Sequence, residues 1–88
     1  MHNPDNTANQ QELTYRLPSE LKPYPGNARR HNEKQIAALM ASISEFGFTN
    51  PILTNEDVMI LSGHGRWQAA KRLELETVPT RIIAGLRL

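Results

Sequence analysis

From Leu13 onward apolar and polar positions alternate. Leu13, Tyr15 and Leu17 are separated by Thr14 and Arg16, the period-two pattern of a half-buried strand, and Pro18 stops it. Residues 1–12, MHNPDNTANQQE, offer almost nothing to bury and read as a flexible leader outside the fold. A loop from Ser19 to His31, punctuated by Pro23, Pro25 and Gly26, is long enough to suggest a functional role. The pattern then changes period. Asn32 is placed to cap a helix opening at Glu33, Gln35 sits at the third helical position of a capping box, and Ile36, Leu39, Met40 and Ile43 recur at three- and four-residue spacing. This predicts a helix over Glu33 to Phe46 with one buried face and Gly47 as its exit. Pro51 to Thr54 and Val58 to Ser62 predict two strands joined by the polar turn Asn55-Glu56-Asp57. Gly63, His64 and Gly65 interrupt, a second helix is predicted over Arg66 to Leu73 with Trp67, Ala70 and Leu73 on one side, and Val78 to Ile83 closes as a strand before Gly85. The order strand, loop, helix, strand, strand, helix, strand predicts an α+β domain.

Composition narrows the function more than the fold. Eighty-eight residues suit one small domain, here 13–88, with 39% apolar residues to build its core. Ten Lys and Arg against nine Asp and Glu leave a net charge of +1, so any contact with nucleic acid must come from a local patch. Without cysteine there is no disulfide scaffold, Cys-ligated metal or thiol redox chemistry. No apolar run approaches the ~20 residues of a membrane span, and the first residues lack the pattern of a signal peptide, so a cytoplasmic domain is expected.

The candidate chemistry centres on Ser62-Gly63-His64-Gly65-Arg66, a strand running into a helix through glycines. The first turn of a helix has amide hydrogens without internal partners, glycines let an anion approach them, and Arg66 adds a forked cation suited to phosphate oxygens. The alternative is a tight turn requiring positive φ at Gly63 or Gly65, with Arg66 solvated. A second basic group, Asn27, Arg29, Arg30 and His31, precedes the first helix; it reads as a solvated charge run with a helix cap, or as a clamp for a triphosphate or a DNA backbone. His64 can serve as an acid or base or hydrogen-bond a phosphate, against the plainer role of capping or packing. The three histidines show no ligand spacing, so no built-in metal site is expected, although a nucleotide could bring Mg2+ with it. Trp67 reads as core, while Lys71 and Arg72 read as solvated or as touching DNA phosphates. Glu20 is the first carboxylate to test as a base if hydrolysis occurs.

The run Ile60-Leu61-Ser62-Gly63-His64-Gly65-Arg66-Trp67-Gln68-Ala69-Ala70 resembles the second conserved box of the ParB N-terminal domain, usually written Gly-Glu-Arg-Arg-aromatic-x-Ala-Ala. Pro25 to Arg29 is similar to its first box, and Ser42 to Ile52, with Gly47-Phe48 and Pro51-Ile52, is similar to the stretch between the two. The resemblance covers Leu13 to Ile83. The Gly-His-Gly-Arg form looks especially like ParB-like nuclease domains of phage proteins and of DNA methyltransferases. The resemblance implies a ParB/sulfiredoxin-like fold, a small mixed β-sheet with two principal helices. Its two boxes would hold nucleotide phosphates, with Gly63, His64, Gly65 and Arg66 cradling them and Asn27 and Arg29 reaching in from the loop. Family members hydrolyse CTP or ATP, or are described as nucleases. This sequence has His64 where the box has Glu, Gly65 where it has the first Arg, and Ala28 where the first box has Pro. The sulfiredoxin branch uses a cysteine beside the glycines, and none exists here.

Two functions follow from these residues. One is a nucleotide-binding ParB-like domain, taking CTP or ATP with Mg2+ and extending to nucleotide or phosphodiester hydrolysis with Glu20 or His64 as base. The other is a non-catalytic DNA- or partner-binding module of the same fold, with Arg30, Lys71 and Arg72 as DNA-facing cations. The third family box and the helix-turn-helix of partition proteins have no counterpart in the 88 residues, so a domain excised from a longer DNA-related protein is expected.

Overall fold

The computed structural model describes residues 13–24 and 32–84. Strand β1 (Leu13–Arg16) leads through a single 3-10 turn at Pro18–Glu20 to helix α1 (Glu33–Phe46), strands β2 (Ile52–Thr54) and β3 (Ile60–Ser62), helix α2 (His64–Arg72) and strand β4 (Val78–Ile82). The four strands form one mixed sheet in the order β1-β4-β2-β3: β4 is antiparallel to β1 and parallel to β2, and β2 and β3 are antiparallel. This is an α+β fold, as the element order predicts.

One sheet face is covered and the other is not. Ile52, Thr54, Ile60, Val78 and Thr80 are fully buried, and α2 lays Trp67 and Ala70 against this face. On its other side α2 turns Ala69 toward Ile36 and Ile43 of α1, so α2 lies between the sheet and α1. Nine residues with a glycine at position 65 would not hold a helix alone in water, and burial of Trp67, Ala69 and Ala70 supplies what propensity lacks. The two buried threonines remain satisfied, since Thr54 Oγ1 donates to the Asn55 carbonyl at 2.9 Å and Thr80 Oγ1 to the Val78 carbonyl at 3.2 Å.

Helix α1 has the predicted bounds and caps: Asn32 Oδ1 accepts from Gln35 N at 2.8 Å, Gln35 Oε1 accepts from Asn32 N at 3.1 Å, and Gly47 leaves the helix at φ +76°. Strand β1 differs from its pattern. Leu13 and Tyr15 are 44% and 61% exposed, because they stand opposite Arg81 and Pro79 on the sheet face that α2 does not cover. An open groove of about 410 Å3 lies over that face, lined in part by Tyr15, Phe48, Pro51 and Pro79, and no residue of the 62–66 turn borders it. Helix α2 begins two residues earlier than the hydrophobic spacing indicates, at His64, because Gly63 at φ +103° completes the turn and its carbonyl accepts the first helical bond from Trp67 N at 2.9 Å.

Candidate functional site

The site is built where β3 ends and α2 begins. Of the two glycines that could need a left-handed backbone, Gly63 has it, while Gly65 is buried inside the first turn of α2. A Cβ at position 63 would lie 2.9 Å from Arg66 Nη2 and 3.3 Å from the Ile52 side chain, so a glycine is required there by both conformation and space. Because the first α-helical bond starts at Trp67 N, the amides of Gly65 and Arg66 have no partner within the helix. Among the described residues no side chain caps this end, and the first turn carries no acidic residue.

Arg66 lies across this turn. Its Nη2 donates to the Pro51 carbonyl at 3.2 Å, and its Nε is buried without a hydrogen-bond partner among the described residues. Burial holds the guanidinium below the usual arginine range, yet the group stays charged at neutral pH. A half-buried cation with an unsatisfied donor, set beside helix-terminal amides, is an electrostatic arrangement complementary to an anion.

The remaining candidates are distributed around this centre. The Nε2 of His64 accepts a hydrogen bond from Tyr24 N at 3.3 Å, which ties the segment after the 3-10 turn to the start of α2. The carboxylate of Glu20 turns back on its own chain, Oε1 accepting from Leu17 N at 2.9 Å. Trp67 is core, as its spacing indicates, and its Nε1 donates to the Pro18 carbonyl at 2.8 Å. Lys71 places Nζ 3.8 Å from the centre of the Trp67 ring. Arg72 forms a forked pair with Glu33, including Nη2 to Oε2 at 2.8 Å, which holds the Glu33 carboxyl below the usual carboxylate range. Asn27, Arg29 and Arg30 lie outside the described residues. Among the described residues no three His, Cys, Asp or Glu side chains converge as a metal site would require. The contacts that sequence reasoning missed are Pro51, whose carbonyl aims Arg66, and Tyr24, which reaches His64. Both are main-chain contacts across 15 and 40 residues, and side-chain identity gives no sign of them.

The model of the ParB N-terminal domain matches residues 2–85 of this chain. The ParB-like nuclease domain-containing protein YnaK of Escherichia coli (strain K12) is 45% identical over 75 residues, covering 85% of this chain and 86% of YnaK. Among solved structures, the C-terminally truncated chromosome-partitioning protein ParB from Caulobacter crescentus, complexed with CTP-gamma-S, superposes with a TM-score of 0.71 and 32% identity over 81% of this chain. That match spans 43% of the partition protein's chain. Sulfiredoxin from Arabidopsis thaliana superposes with a TM-score of 0.75 and 25% identity, covering 84% of this chain and 86% of its own.

Proposed function

Since this chain belongs to the ParB N-terminal domain family, we propose that it binds the phosphates of a nucleotide at the turn between β3 and α2. The observation that carries this reading is Arg66, whose buried Nε has no partner among the described residues and whose guanidinium lies against Gly63 at the start of α2. The amides of His64, Gly65 and Arg66 and the Arg66 guanidinium are the donors for the phosphate oxygens. Asn27 and Arg29 add contacts from the first box, as the family resemblance assigns them. The CTP-gamma-S bound by Caulobacter ParB makes CTP the first nucleotide to test, with ATP second. Mg2+ would arrive with the nucleotide, since phosphates and water supply most of its ligands.

Binding without turnover is the form of this function that the geometry favours. Both candidate bases already act as acceptors for main-chain amides, His64 Nε2 for Tyr24 and Glu20 Oε1 for Leu17, which gives each a structural role. The DNA-facing role of Lys71 and Arg72 is secondary for a similar reason: one is stacked on Trp67 and the other forked to Glu33. In the parent protein the domain would act as a nucleotide-responsive module beside a DNA-directed partner. Calorimetric titration of CTP, ATP and GTP, with and without Mg2+, against the wild type and Arg66→Ala tests the reading. Saturable binding that disappears in the variant supports it. Binding of DNA but of no nucleotide, with a salt dependence of a few phosphates, replaces it with the non-catalytic DNA-binding module.

A further inference from the structure

The segment that enters the first box is attached to β3 as a short parallel extension of the sheet. Lys22 N donates to the Val58 carbonyl at 3.0 Å and Ile60 N donates to the Lys22 carbonyl at 2.8 Å, which makes Lys22 and Met59 a parallel bridge. Val58 presents that carbonyl from a left-handed backbone, φ +58°, which a β-branched residue rarely adopts and which the surrounding contacts must hold. A parallel ladder repeats every two residues, so its next bond would run from Tyr24 N to the Ile60 carbonyl. It does not. Tyr24 N donates instead to His64 Nε2 at 3.3 Å, and the chain leaves the sheet for the side chain that opens α2.

The geometry points to His64 as a positioning residue: its imidazole replaces the main-chain acceptor that β3 would have offered and fixes Tyr24 beside the phosphate-binding turn. The effect on ligand binding rests on the function proposed above; the contact itself does not. An Nε2 that accepts a hydrogen bond cannot carry a hydrogen, so the neutral ring is the Nδ1–H tautomer. A side chain in this role needs an acceptor at the reach of Nε2 and needs no basicity. Glutamine supplies one through Oε1, whereas alanine and phenylalanine do not. In the sequence Tyr24 stands immediately before Pro25, where the resemblance to the first box begins.

The test uses the full 88-residue chain. Imidazole 15N correlation spectra of the wild type are expected to show His64 with hydrogen on Nδ1 and none on Nε2. Exchange of the Tyr24 amide is expected to quicken by roughly 2- to 12-fold in His64→Ala and His64→Phe, the loss of one hydrogen bond, and to return toward wild type in His64→Gln. Affinity for CTP and for inorganic tripolyphosphate should follow the same order. An Nε2–H tautomer, or a Tyr24 amide indifferent to His64→Ala, overturns the inference. So does a His64→Gln protein that binds CTP but has lost a hydrolysis the wild type performs, because the ring would then be a base. A wild type that binds neither CTP nor tripolyphosphate, yet shows the expected tautomer and Tyr24 exchange, supports the positioning contact and refutes the nucleotide reading instead.

Discussion

At the start of α1, Asn32 and Gln35 exchange two hydrogen bonds and Glu33 places a carboxylate in the first turn, whereas at the start of α2 Gly63 offers no side chain, no acid follows, and Arg66 brings a cation to the same end. Either arrangement has to answer for amides that the helix cannot use. The first answers from within four residues of sequence and leaves little for a ligand to do. The second adds positive charge to an end that is already positive, which is unfavourable unless an anion joins it. Two helices in one small domain thus separate a start made for stability from a start suited to binding.

The strongest way to break this comparison is Arg66→Ala. Loss of charge-assisted hydrogen bonds worth about 1.5–3 kcal/mol each should weaken CTP binding by at least about 10-fold in calorimetry. Thermal stability should change little, because removing a buried donor without a partner offsets the loss of the Nη2 bond to the Pro51 carbonyl. A matched loss of stability and affinity would mean that Arg66 serves the fold. Gly63→Ala comes next. A side chain forced to φ +103° and into the Arg66 guanidinium should cost about 1–3 kcal/mol, several degrees or more in Tm, and should weaken nucleotide binding as well.

Asn32→Ala sharpens the contrast from the other side. Removing this cap should cost about 1 kcal/mol, seen as a Tm lower by several degrees, with CTP affinity unchanged within error. The smallest effect is expected from Glu33→Gln. Its partner Arg72 holds the Glu33 carboxyl below the usual carboxylate range, so the pair's contribution is present above the unfolded-state pKa and is lost as pH falls through the lower folded-state value. The side chain of Glu33 is 79% exposed, so any difference in Tm from wild type should be slight at neutral pH and should vanish in acid.

The features legible in the sequence are those decided by neighbours along the chain. The Asn32–Gln35 exchange spans three residues, the Ile36–Ile43 stripe follows the helical period, and the glycine turn needs only the short run from Ser62 to Arg66. The misreadings are equally particular. The alternation at Leu13, Tyr15 and Leu17 indicates a strand, and a strand formed, but period two cannot say whether a second layer covers that face. Lys71 and Arg72 are exposed, as their pattern reads, but the stacking on the Trp67 ring and the pairing with Glu33, 39 residues away, are not visible in their local charge pattern.

By itself the sequence determined the order of elements, the closed start of α1, the need for glycine between β3 and α2 and, through its boxes, the family. Only the tertiary structure decided that β4 inserts between β1 and β2, that Pro51 aims Arg66, and that His64 holds Tyr24. The division follows from range: caps, turns and periodicity are settled within about one helical turn of chain, while strand order and the direction of a long cation depend on contacts that close loops of tens of residues and exist only once the two core clusters have packed.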